Sequence, residues 1–192
     1  MTGSRAPIVA ATVVAAVAVT LVALTLRQPD VVTFAPTAPA PRAPSRALVG
    51  PVTYTVDATA ADAWRAFSFA RGATVDGAGD LLFRRYAIVA GPGAAVADLG
   101  AVGFDEARTA PAEGYQANEG RAEPRNPAIA GWYRYGFFSH VLTPRPHVWA
   151  VRTAEGRYAK LEILSYYCPG PQPGCLTFRY VFQGDGSRRL AP

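Results

Sequence analysis

The sequence predicts an antiparallel, all-β domain behind an N-terminal transmembrane helix. Three observations predict it. Ile8 to Leu26, IVAATVVAAVAVTLVALTL, is nineteen residues long and carries no charge. The last third alternates apolar and polar residues with a period of two, the signature of half-buried strands. Between these regions lies a Pro/Ala-rich stretch, with APTAPAPRAP at its centre. The division expected is therefore an anchor or signal over 1–27, a linker over 28–51 and a β domain over 52–192.

As a helix, the N-terminal run spans about 28 Å, close to the ~30 Å hydrocarbon layer. It is longer than the usual apolar core of a secretory signal, and LTLRQPD follows it where a small-x-small cleavage site would stand. A retained anchor is the favoured reading. A cleaved signal, with the nearest cleavage site in APTAPA at Ala35 to Ala40, is the alternative. No cysteine follows the run, which excludes a lipid-modified N-terminal cysteine. A short N-terminal tail makes N-inside the simpler topology and exports everything after Arg27, into the periplasm or to the cell exterior. The Pro/Ala-rich linker is expected to be extended, at up to ~3.1 Å per residue, and to hold the domain clear of the membrane.

Along the domain, VTYTV (Val52 to Val56) alternates as a strand. WRAFSF sets Trp64, Ala66 and Ser68 against Arg65, Phe67 and Phe69. LLFRRYAIVAG (Leu81 to Gly91) reads as one strand, and AVADLGAVGF as either a short helix or a strand. Arg108 to Pro127 is polar and rich in Pro, Gly and Ala, hence a long loop. GWYRYGFFSHVL (Gly131 to Leu142) is aromatic and strand-like. VWAVRT, RYAKLEILSYY and LTFRYVFQ then form a meander, turned first at Ala154-Glu155-Gly156 and next at CPGPQPGC. Leu161, Ile163 and Ser165 share one face. Leu176, Phe178, Tyr180 and Phe182 share another, opposite Thr177, Arg179 and Gln183, so a core face and a partly wet face are expected.

The only two cysteines, Cys168 and Cys175, close that second turn. In an exported domain a disulfide there would staple the hairpin and fix its register. Free thiols in a cytosolic hairpin are the bland alternative. A zinc half-site fits less well, since no second pair completes four ligands.

Charge argues against nucleic acid as a partner. From Ala47 onward there are 15 basic and 13 acidic residues, a difference of +2, and no basic run. Enzyme signatures are thin. Neither G-x-S-x-G nor H-E-x-x-H occurs, and Ser139 beside His140 would point to the opposite face of a strand. GPGAAV (Gly91 to Val96) has Val where a dinucleotide loop has its third Gly, and reads as a turn. The two histidines, His140 and His147, stand seven apart across a Pro-containing turn. Two neutral imidazoles on adjoining segments can hold a haem iron from both sides. Trp132, Tyr133, Tyr135, Phe137, Phe138 and Trp149 surround them in sequence, with Arg134, Arg145 and Arg152 available to propionates. The alternative is two exposed or hydrogen-bonded histidines beside an aromatic core.

The stretch AVRTAEGRYAKLEILSYY followed by LTFRYVFQGDGS resembles the core motif of the HmuY family of bacterial haem-binding proteins. Weaker echoes occur in LLFRRYAIVAGPG, DLGAVGFD and GWYRY. The resemblance runs from about Val52 to Arg188. It implies an antiparallel all-β domain outside the cytoplasm, and a binding protein rather than an enzyme. It also implies haem or another small apolar ligand, with an outer-membrane transport receptor as recipient. The shared motif is a strand–turn–strand hairpin and contains no iron ligand. Characterised relatives are lipid-anchored through an N-terminal cysteine, which this chain lacks. The two function readings are a membrane-tethered haem-binding protein for iron acquisition and a non-catalytic interaction or envelope module that binds no haem.

Overall fold

The computed structural model describes residues 6–25 and 30–191. Among the described residues a single helix, α1 (Ala6–Thr25), covers most of the uncharged N-terminal run. Its side chains are described over residues 9–23, all of them exposed. Among the described residues no helix is long and apolar enough to cross a membrane. The flanks of the expected anchor, residues 1–5 and 26–29, lie outside the described residues.

Eleven strands follow: β1 (Leu48–Asp57), β2 (Arg65–Ser68), β3 (Ala73–Val75), β4 (Leu81–Arg84), β5 (Ala87–Ala90), β6 (Ala95–Asp98), β7 (Tyr133–Tyr135), β8 (Leu142–Pro144), β9 (Trp149–Arg152), β10 (Tyr158–Cys168) and β11 (Gln172–Gln183). They build a five-stranded sheet in the order β1-β11-β10-β9-β6, a four-stranded sheet in the order β3-β2-β4-β5, and the separate β7-β8 hairpin. Every ladder is antiparallel. The expected meander is β9-β10-β11, and AVADLGAVGF resolves as strand β6 at the sheet edge.

The core lies between the two larger sheets. Period-two alternation in β11 brings Leu176, Phe178, Tyr180 and Phe182 to one face, all buried. Tyr180 and Phe178 stand directly opposite Leu161 and Ile163 of β10, which share that face. The small sheet supplies the other wall: Phe67 lies edge-on to Phe178 at 5.1 Å between ring centroids and to Tyr180 at 5.5 Å, and Phe83 stacks on Phe178 at 5.5 Å. Such pairs add ~0.5–1.5 kcal/mol each beyond the burial of their area.

Four local expectations are corrected. LLFRRYAIVAG is two strands, because Arg85 takes the left-handed conformation (φ 53°) and Arg84 pairs with Ala87 across a two-residue turn. GWYRYGFFSHVL is likewise a hairpin, β7 and β8 around a turn. The face of β11 expected to be partly wet is largely covered. Thr177, Val181 and Gln183 are buried there, and Val181 packs with Phe104, Ala107 and Val148. The lone lysine, Lys160, closes this second layer by donating from Nζ to the carbonyls of Phe104 (2.6 Å) and Ala107 (3.0 Å).

The fourth correction concerns the stretch read as linker. β1 begins at Leu48, four residues inside it, and residues 31–46 lie along the domain as a strap. Prolines at 36, 39, 41 and 44 remove backbone donors. Donors that remain find carbonyls on the sheets: Phe34 to Tyr167 (2.9 Å), Thr37 to Thr55 (2.9 Å) and Arg42 to Arg71 (2.9 Å). The Arg42 side chain adds bonds from Nη2 to the Phe69 carbonyl (2.7 Å) and from Nε to that of Ala70 (3.3 Å). The Ser165 hydroxyl donates to the Val32 carbonyl. A segment held at four residues by these six hydrogen bonds is part of the domain and not a spacer.

Cys168 and Cys175 form the expected disulfide, with Cα atoms 4.8 Å apart. It closes the β10–β11 turn, where register irregularities occur between Ile163 and Tyr167.

Candidate functional site

The two histidines stand at opposite ends of β8. At the near end, the β7-β8 hairpin rests on the core through its base. Trp132 is fully buried and donates from Nε1 to the Tyr86 carbonyl (2.8 Å). The Leu142 backbone N–H donates to the Tyr167 hydroxyl (2.8 Å), and the Arg145 N–H to the Trp132 carbonyl (2.7 Å). The ladder ends at Tyr135↔Leu142, and residues 136–141 turn the chain. Gly136 and Val141 close the turn at 2.8 Å, and the His140 N–H donates to the Gly136 carbonyl at 2.7 Å. His140 itself sits at φ 54°, a left-handed position that histidine tolerates better than most non-glycine residues. That backbone brings its Nδ1 onto the Tyr135 hydroxyl, leaving Nε2 as the ring nitrogen free for a ligand. The rest of the tip is apolar and open to solvent. Phe137 is 75% exposed and Phe138 85%, their rings edge-on at 5.4 Å.

At the far end, His147 directs Nδ1 at both carboxylate oxygens of Asp98, each at 3.1 Å. Its ring lies 5.8 Å from that of buried Trp149. A carboxylate only accepts, so it fixes the Nδ1–H tautomer and leaves the Nε2 lone pair for a metal, the orientation second-sphere carboxylates give to metal-binding imidazoles.

Each histidine is thus oriented, but toward different ends. Between them β8, Leu142–Pro144, holds the chain extended. Among the described residues no group of three or more His, Cys, Asp and Glu is placed to hold a metal ion. Of the other residues read as a porphyrin surround, Trp132 and Trp149 belong to the core. Arg152 lies over the Tyr115 ring, and Arg145 donates from Nε to the Tyr133 carbonyl.

A second feature is not among the sequence expectations. A cleft of about 610 Å³ opens between the strap and the small sheet, lined by Pro36, Pro39, Asp57, Trp64, Arg65 and Asp76. Its proline wall exists only because the strap docks. The single signal was Thr37 and Arg42, the polar residues set among prolines.

No family model matches the chain, and no curated protein does. Solved structures do. The apo HmuY analog from Tannerella forsythia superposes with a TM-score of 0.62 at 15% identity, covering 71% of this chain and 97% of that one. A protein from Bacteroides vulgatus, assigned as HmuY-like and heme-binding, gives 0.58 at 18% identity, over 67% and 89% of the two chains. One from Bacteroides fragilis, assigned as a lipoprotein, gives 0.54 at 20% identity, over 67% and 88%. At such identities the likeness is one of architecture. The two packed antiparallel sheets and their hairpin are the HmuY-like fold.

Proposed function

We propose that this chain is an extracytoplasmic, non-catalytic binding protein whose ligand site is the β7-β8 hairpin, with haem as the ligand. One observation carries the reading: His140, oriented through Nδ1 by Tyr135, sits beside two exposed phenylalanine rings. An imidazole Nε2 next to an apolar aromatic platform suits an amphipathic metalloporphyrin, and exposed Arg134 stands on the same hairpin for a propionate. When bound, haem would supply an iron that takes the imidazole. His147, oriented by Asp98, is the second ligand proposed. The assignment of a relative with this fold as heme-binding adds to the reading. An outer-membrane transport receptor is the recipient the proposal implies.

Export is supported by the Cys168–Cys175 disulfide, since such bonds persist in oxidising compartments. A membrane tether over residues 1–27 is supported by the uncharged run Ile8 to Leu26, most of which is helical. Fractionation of the whole chain with N-terminal sequencing tests it; a mature start near Ala40 refutes it.

Titration of residues 30–192 with haemin, followed in the Soret and Q bands, tests the ligand. A saturable one-to-one, low-spin spectrum lost in both His140→Ala and His147→Ala is the expected result. Loss in His140→Ala alone would remove His147 from the site. Binding untouched by either substitution would move the site to the strap cleft. The absence of saturable binding would favour the second reading, an interaction module of the same fold. That reading has its own support: the motif shared with the family lies in β9, β10 and β11, where its residues pack the sheet.

A further inference from the structure

We propose that the tip of the β7-β8 hairpin is a membrane contact, with Phe137 and Phe138 entering the interfacial layer of the bilayer that tethers the chain. The occupant is a phospholipid surface. This rests on the tether reading above. It shares the hairpin with the ligand reading but uses different atoms, the two phenyl rings and not the His140 imidazole.

Three observations carry it. First, Phe137 and Phe138 are the most exposed large apolar side chains of the β domain, adjacent in sequence and held outward by a turn with its own hydrogen bonds. A folded domain has no internal use for such a pair. Second, the strap begins beside them. A groove of about 230 Å³ is lined by Asp30, Val31 and Val32 on one side and by Val141 to Pro144 on the other. The strap therefore meets the domain on the strand that carries the aromatic tip. From the end of α1 at Thr25 to Asp30 is five residues, at most ~18 Å of chain. With residues 31–46 bound to the domain, no long spacer remains to lift this end away from a bilayer. Val32, which lines that groove, is itself 65% exposed.

Third, the charge is complementary. No acidic residue occurs between Glu123 and Glu155, and exposed Arg134 stands one residue before the last rung of the ladder, while exposed Arg145 lies at the hairpin's base. Aromatic rings at the headgroup level with arginines beside them are the side chains that membrane interfaces select.

Residues 30–192 are the protein to use, because no described residue of α1 belongs to the buried core. They are mixed with vesicles of phosphatidylcholine and phosphatidylglycerol at three to one, without haemin, and bound protein is measured by flotation. Expected is binding that falls roughly tenfold or more in the Phe137→Ser/Phe138→Ser double variant, whose exposed positions leave the core intact. In Phe138→Trp, the introduced indole should be quenched by lipids brominated on their acyl chains. Binding unchanged by the double substitution, an unquenched indole, or a dimer in vesicle-free solution that the substitution dissolves would each overturn the proposal. The last would give the patch to a second copy of the chain. Haemin binding in solution and fractionation of the whole chain are separate readouts, so failure here leaves the ligand and tether readings to stand or fall independently.

Discussion

Replacing Arg42 by alanine separates two physical pictures of residues 31–46. In a free Pro/Ala-rich spacer the side chain is solvated, and its loss changes stability by no more than about 0.5 kcal/mol. In the docked strap it is half-buried beside Gly72 and Tyr180 and donates to two carbonyls of the turn after β2. Hydrogen bonds from charged groups contribute about 1.5–3 kcal/mol net. The 2.7 Å bond to Phe69 merits the lower end of that range for a half-exposed group, and the 3.3 Å bond to Ala70 less than half as much. Adding the lost packing, the loss is about 2 kcal/mol. Urea unfolding of residues 30–192 measures it. With a slope of roughly 2 kcal/mol/M, the midpoint should fall by about 1 M without a change in slope. Arg42→Lys, which keeps the charge but not the two-pronged donor, should fall between the two. A midpoint shift under about 0.2 M would refute the strap as a structural element.

Asp80 should make stability fall as pH rises. Burial pushes its carboxyl up to about 6, although it accepts the Phe69 N–H. A folded pKa above the unfolded one means the folded state holds the proton more tightly. The contribution is fully present below pH ~4 and lost as pH rises through 6, about 3 kcal/mol in all. Asp80→Asn keeps an acceptor and loses that slope, so its Tm should exceed the parent's at pH 8 and match it near pH 4; equal pH profiles would refute the assignment. Removing the disulfide as Cys168→Ser/Cys175→Ser opens a loop with a sequence separation of 7, worth about 2.5 kcal/mol of chain entropy. Chemical unfolding with and without reductant should show that loss in the parent and none in the variant.

The parts of the fold legible in the sequence are those where one local signal decides. In β11 alternation alone sorts Phe178 and Tyr180 from Thr177 and Arg179, because a strand puts successive residues on opposite faces. The cysteine turn is equally local. What failed is whatever depends on a partner far along the chain. Nothing around Arg179 shows that Phe104 and Ala107 return to cover its face, or that Lys160 holds them there. LLFRRYAIVAG hides a turn because Arg85 adopts a left-handed conformation that its residue type does not advertise.

The site shows the same division. Aromatic residues and a histidine on one hairpin are visible in GWYRYGFFSHVL, yet their meaning turns on which of them the core takes. Trp132, at the base of the hairpin, goes inward, as does Trp149 in β9; Phe137, Phe138 and His140 are left at the tip. Composition cannot make that division, because it treats all the rings alike. Spacing alone does not say how His140 and His147 stand to one another. β8 keeps the chain between them extended, with one histidine at the solvent tip and the other against Asp98 at the sheet edge. Nor does local pattern show that Val31 and Val32, far earlier in the chain, return to line the groove beside β8, because that contact is set by the docking of the strap and not by any residue of the hairpin.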